Sequence, residues 1–344
     1  MLLLFLTVAH AAEVTRLPAA LGVDLRVGYA AHFEAGPLEE AEARVGRRTV
    51  DRHTFSYTAE FAPIDGLAFH LALDQTPWQR LAYAETHAMV YDPVGDTGTL
   101  QGGSLKGGDL LDPQPERIGG GLEGLWIGVA GAPFVERTGA PGTWRLDLAW
   151  RSPAPRQTFW TSDGDRRGVA PGGTAWRLGA AFSTTNAPAD AYLVGQYQIE
   201  GTAQVPVTDD AGATLATRSL RPANRLDLRA GVEIDAGTVA GTDERFAFDL
   251  FLGLGHRSAA RLPSGVVLPD VLDRTQGTLV DHPPHLLGTA GLGAIVEANE
   301  WFVARIAGTA AVVLPHRLEA PYPVRAGLGT HAFGVEGSIE ARLR

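Results

Sequence analysis

Residues 21–34 read Leu-Gly-Val-Asp-Leu-Arg-Val-Gly-Tyr-Ala-Ala-His-Phe-Glu, and every second side chain is apolar. Leu21, Val23, Leu25, Val27, Tyr29, Ala31 and Phe33 fall on one face. Gly22, Asp24, Arg26, Gly28, Ala30, His32 and Glu34 fall on the other. Side chains of a strand alternate between faces, so this is a strand with one apolar and one charged side. At about 14 residues it exceeds the usual soluble strand of ~5–6 and is long enough to cross a bilayer at a tilt.

The pattern recurs. Twelve alternating segments follow one another at about 21–34, 50–62, 66–75, 121–134, 142–152, 174–184, 190–200, 224–234, 245–257, 285–298, 301–314 and 329–343. In 245–257, Phe246, Phe248, Leu250, Leu252 and Leu254 oppose Arg245, Asp249, Gly253 and Gly255, with Phe251 the exception on the polar side. The connections alternate as well. The segments 35–49, 76–120, 153–173, 201–223 and 258–284 are long. Ala62-Pro63-Ile64-Asp65, 135–141, 185–189, 235–244 and Asn299-Glu300 are shorter, and 315–328 is the last loop. Short turns on the periplasmic side and longer loops outside are the layout of bacterial transmembrane barrels. The register puts both termini in the periplasm and requires an even strand count. The stretch 78–91 (Trp78, Leu81, Tyr83, Met89, Tyr91) is placed inside the second outer loop, because a thirteenth strand breaks that register.

No water in a bilayer satisfies a free sheet edge, so a spanning sheet must close on itself. The fold class expected is therefore all-β: a transmembrane antiparallel up-and-down β-barrel of about 12 strands. Aromatic residues stand where two interfacial girdles belong. Trp150 and Trp176 flank the loop 153–173, and Phe61, Trp144, Phe182, Phe246 and Phe302 fall at the opposite end. The competing architecture is a soluble sandwich or jelly roll, whose strands also alternate. Such strands rarely carry five or more large apolar residues on one side without a partner sheet.

Composition narrows the classes. The 344 residues include 42 glycines and no cysteine, which excludes disulfides, thiolate metal sites and thiol nucleophiles. Lys106 is the sole lysine, an arginine bias that fits genome composition. A net charge of −10 argues against nucleic acid as a partner. Leu2 to Val8 form a short apolar core and Ala9-His10-Ala11 matches a small-x-small cleavage site, so residues 1–11 read as a signal peptide and 12–344 as one barrel domain. No basic residue precedes the core, which points to a start upstream of Met1. No segment holds ~18 uninterrupted apolar residues, so no transmembrane helix is expected.

On these residues the chain resembles, as a class and over about 12–343, the outer-membrane β-barrel proteins of Gram-negative bacteria. The resemblance implies an outer-membrane location, contact with outer-membrane lipid and insertion by the barrel-assembly machinery. The chain departs from the class at Ala341-Arg342-Leu343-Arg344, where such barrels commonly end in an aromatic residue.

The polar face supplies the candidate lumen: Arg26, Arg52, Glu60, Arg145, Asp147, Arg177, Asp227, Arg229, Glu233, Asp249, Arg305 and Glu336. These charges either select a solute or pair across strands to fill a modest lumen. The leading function is a passive channel or transporter for a small solute, not an enzyme, with no cofactor or metal. The alternatives are a lipid hydrolase and a structural barrel that binds a partner through its outer loops. The hydrolase rests on His256, Ser258 and Asn224, which share outward parity; with a hairpin turning near 239–240, Asn224 lies almost opposite His256. A Ser-His-Asn set activates a hydroxyl. This resembles outer-membrane phospholipase A, a twelve-stranded barrel with a His-x-Ser pair on its outer surface. The chain departs from it at Ala259, where that family has Asn, and in taking its Asn from the preceding strand. Asp163-Gly164-Asp165 and Asp209-Asp210 read as solvated loop acids rather than calcium ligands. Gly119-Gly120-Gly121 lacks a following helix, and His282 and His285 are too few for a metal site.

Overall fold

The computed structural model describes residues 15–40, 43–84, 117–135, 142–153, 159–160, 166–167, 173–184, 188–208, 213–236, 245–263, 279–299, 301–317 and 325–343. The expected signal peptide, Lys106, Met89, Tyr91, Asp163-Gly164-Asp165 and Asp209-Asp210 lie outside these residues. Among the described residues no helix is long and apolar enough to cross a membrane.

Twelve antiparallel strands form the barrel: β1 (Val23–Glu40), β2 (Ala43–Ile64), β3 (Leu67–Ala84), β4 (Arg117–Phe134), β5 (Thr143–Arg151), β6 (Ala175–Thr184), β7 (Ala189–Glu200), β8 (Arg225–Asp235), β9 (Arg245–Arg257), β10 (His285–Asn299), β11 (Phe302–Val313) and β12 (His331–Leu343). Each pairs with its sequence neighbours, and β12 returns to β1 from Val23↔Leu343 to Ala35↔His331, which closes the sheet. The tight turns and the ends of β1 and β12 that carry Val23 and Leu343 share one end of the barrel, the turn end. Gly66 there has φ +78, a left-handed conformation that glycine adopts without penalty. The Asn299 side chain accepts from the backbone N–H groups of Trp301 (2.8 Å) and Phe302 (3.0 Å), fixing the β10–β11 turn.

The strands depart from the sequence reading chiefly at the loop end. Residues 35–40 and 43–49 are not loop: β1 and β2 run on as one hairpin. Its charges pair across the ladder, with Glu39 opposite Arg44 and Arg48 donating to Glu34, so a run that reads as solvated loop is held as strand. Residues 78–84 are likewise neither loop nor a separate strand. They continue β3 beyond Pro77, which has no N–H to give the ladder and sits in a register shift between Thr76 and Gln79. Gly119-Gly120-Gly121 lies inside β4. The other long loops also carry strands. Phe159–Trp160, Arg166–Arg167, Ala203–Thr208 and Thr214–Leu220 form a four-stranded sheet, Ala260–Pro263 pairs with Leu279–His282, and His316–Arg317 pairs with Arg325–Ala326.

The apolar face turns outward with no partner sheet over it. Leu252, Leu292 and Ile339 are 69%, 65% and 62% exposed, which removes the sandwich alternative. Aromatic pairs lie directly across strands at both ends: Trp150 opposite Trp176, and Trp144 opposite Phe182 with ring centroids 4.9 Å apart. Trp78 packs at 4.9 Å on His53 and so extends the loop-end girdle. Placing an arginine at Leu252 is expected to cost about 2–4 kcal/mol in denaturant unfolding from lipid vesicles, the penalty of a cation near the midplane. Unchanged stability means that this face meets water.

Candidate functional site

Inward parity on a closed sheet sends the other half of each strand into the lumen, where a charge needs a partner. At the turn end one carboxylate gathers four guanidinium groups. Glu340 accepts from Arg26 (2.5 and 3.0 Å), Arg305 (3.1 Å), Arg342 (2.9 Å) and Arg16 (3.4 Å). Arg342 also donates to Glu297 at 3.2 Å. On the facing wall Arg145 pairs with Asp147 (2.9 Å) and Glu60 (3.0 Å). Farther in, Arg229 donates to Asp249 (2.5 Å) and to the Tyr192 hydroxyl (3.0 Å), while that hydroxyl donates to Asp249 (2.7 Å). The Arg229 guanidinium lies 3.5 Å from the Phe251 ring centroid, so its open face is covered too. This explains why Phe251 breaks the outward pattern of its strand.

Towards the loop end the pairs are Arg257 with Asp227 (2.7 Å), Arg151 with Glu200 (2.6 Å) and Arg52 with Glu123. Thr76 donates to Glu123 at 2.6 Å. Glu233 is 2% exposed and has a partner. On the inward face of the barrel strands, four charged side chains are committed to no hydrogen bond or ion pair among the described residues: Asp74, Arg177, Arg225 and Glu336. Each retains part of its surface, and Arg177 lies 3.9 Å over the ring of Trp126. Glu123, Tyr192 and Trp126 escaped the sequence reading. Glu123 follows a glycine run at a bulge that inverts parity, whereas Tyr192 and Trp126 looked like ordinary aromatic strand residues.

The chain ahead of β1 crosses the turn-end mouth. The Thr15 hydroxyl bonds the Ser183 hydroxyl of β6 at 2.7 Å, Arg145 of β5 donates to the Arg16 carbonyl at 2.7 Å, and the Arg16 side chain reaches Glu340 of β12. β6 and β12 stand half-way round the ring from each other, so this strap spans the opening. Leu21, at φ +65, turns it into β1, its N–H donating to Ala62 at 2.6 Å. A recess of about 360 Å³ remains beside the strap, lined by Thr15, Arg16, Asp24, Ser183 and Arg342 among others.

The hydrolase set is not assembled. Leu226, not Asn224, faces His256 in the ladder, because the β8–β9 register places Asn224 beside Ser258. Ser258 Oγ accepts from the Asn224 backbone N–H (2.9 Å) and donates to the Ala259 carbonyl (3.2 Å), and Asn224 Oδ1 accepts from the Glu200 N–H (2.9 Å). His256 bonds neither partner. Among the described residues no group of three or more His, Asp or Glu suits a metal ion.

A closed antiparallel barrel, apolar outside and charged inside, defines a transmembrane β-barrel of the outer-membrane class. No family model matches the chain, and no curated protein matches it. Among solved structures, an outer membrane channel from Pseudomonas putida F1 is similar with TM-score 0.55 at 10% identity, over 96% of this chain and 98% of that one. The translocator domain of the autotransporter NalP from Neisseria meningitidis gives 0.46 at 12% identity, over 93% and 88%. A FadL homologue from Pseudomonas aeruginosa gives 0.38 at 9% identity, over 97% and 94%. At these identities the likeness is one of fold.

Replacing Arg229 by Met is expected to cost about 3–5 kcal/mol in vesicle unfolding, because it strands the Asp249 carboxylate. Adding Asp249→Asn should recover most of that loss. A double variant no better than the single one shows that Arg229 acts through packing alone.

Proposed function

We propose that this chain is an outer-membrane channel for a small solute, with both termini in the periplasm and a narrow lumen gated by its own N-terminal strap. The supporting observation is the lumen itself. Most of its charges pair with one another, yet Asp74, Arg177, Arg225 and Glu336 do not, and a wall held only by structural ion pairs has no use for four uncommitted charges. Both signs are present, which suits a polar or zwitterionic solute. The shared fold with the Pseudomonas putida channel supports the same reading.

The chain has no cysteine, so a tether is clean to introduce. Thr15→Cys with Ser183→Cys should lock the strap, since the two hydroxyl oxygens already lie 2.7 Å apart. Planar-bilayer recording should show low conductance when the pair is oxidised and a rise on reduction. Equal currents in both states remove the strap as gate, and a bilayer that stays closed at every voltage in both states removes the channel. Recorded at pH 9, Glu336→Gln should move the permeability ratio towards anions by about threefold, the effect of deleting one unit charge ~7 Å away in water. An unchanged reversal potential places Glu336 off the path.

A further inference from the structure

Beyond the lumen, two arginines face each other at the loop end. Arg221 follows the strand Thr214–Leu220, and Arg261 lies in the strand Ala260–Pro263. They form a bridge with two backbone hydrogen bonds, Arg221 N–H to Arg261 carbonyl at 3.0 Å and Arg261 N–H to Arg221 carbonyl at 2.8 Å. Residues directly opposed in an antiparallel bridge point the same way with Cβ atoms ~4.5–5.5 Å apart, and like charges so placed repel. Neither side chain makes a hydrogen bond or ion pair among the described residues. Both line a recess of about 570 Å³ with the Thr202 and Ser219 hydroxyls and Asp281. Asp281 faces Arg261 across its hairpin but forms no ion pair with it.

We infer that this recess binds a phosphate group. Two guanidinium forks fixed side by side by backbone bonds, with two hydroxyls at hand, match the several acceptor oxygens of a phosphate. Its charge removes the repulsion that the fold otherwise leaves. The height fits a lipid source. Arg221 and Arg261 each lie four residues beyond the barrel ends at Arg225 and Arg257, at most about 13 Å along the strand direction, where a headgroup layer begins. The same chemistry also suits a phosphorylated solute arriving at the mouth. The lipid source rests on the proposed orientation; the phosphate site does not depend on whether the lumen conducts.

The test uses the full chain in detergent. Phosphorus NMR titration with inorganic phosphate should show saturable binding. Arg221→Gln with Arg261→Gln should weaken it at least tenfold, each charge contributing about fivefold at ~4 Å in water. Asp281→Asn should tighten it, because the carboxylate repels the ligand. Both arginines are exposed, so the variants should keep the compact migration of a folded barrel on unboiled gels, and the two single variants stand in for the double one if it does not. Binding to immobilised protein then compares lipid A with its dephosphorylated form in mixed micelles. Tighter binding of phosphorylated lipid A than of free phosphate assigns a lipid headgroup, and equal binding assigns a soluble phosphate. Absence of phosphate binding to the unaltered chain, or equal binding by the double variant, overturns the site.

Discussion

Every other feature follows from the absence of water at the edge of a spanning sheet. An unsatisfied backbone N–H or carbonyl costs several kcal/mol in hydrocarbon. The first and last strands must therefore find each other, and they do so along the whole run from Val23↔Leu343 to Ala35↔His331. Their antiparallel pairing demands an even number of strands, which puts the start of β1, the end of β12 and the tight turns at one end. The long segments collect at the other, where hairpins outside the hydrocarbon are free to continue as strands.

Closure also creates an inside that must be filled. Twelve strands enclose more than one layer of small side chains can occupy, so the inward positions carry arginine and carboxylate in mutually satisfying sets. Arginine suits this task better than lysine, because its planar fork donates to several acceptors at once and loses less on desolvation. At Glu340 one carboxylate serves Arg26, Arg305 and Arg342 and so ties β1, β11 and β12 at the seam where the barrel closes.

The sequence carried the barrel part of each strand, because there one face meets lipid and period-two alternation is strict. Runs like Phe246, Phe248, Leu250, Leu252 and Leu254 are absent where lipid is absent, and there the signal failed. The β1–β2 overhang keeps no period-two pattern, with charges side by side at Glu39-Glu40 and Arg47-Arg48, and its ladder rests on pairs such as Glu34 with Arg48 that no single strand displays. The third segment reads as ending at 75, yet a register shift around Pro77 carries β3 on to Ala84. Parity assigns Arg26, Asp249 and Glu336 to the face opposite the apolar one. It does not tell which charges stay uncommitted, because pairing depends on partners such as Glu123 and Tyr192 that lie far away in sequence. The placement of Asn224 against His256 failed for a related reason: a turn placed slightly too early shifts every partner along the ladder.

The same pattern of partners distinguishes what in the lumen is free to move. Withdrawing Arg229 or Arg305 strands a buried carboxylate or opens the seam. Withdrawing the strap does neither. Glu340 keeps Arg26, Arg305 and Arg342 when Arg16 leaves, and Arg145 keeps Asp147 and Glu60 when it loses the Arg16 carbonyl. Arg16 itself is 27% exposed in its side chain and sits at a mouth where water can hydrate it. Thr15 and Ser183 exchange one neutral hydroxyl contact for hydration, a difference of about 1 kcal/mol. Asp24 of β1 does lose its 3.8 Å ion pair with Arg16, but its side chain is 17% exposed at the same mouth and is open to hydration, so the strap leaves at small electrostatic cost, a property that a gate built into a wall of ion pairs has to have.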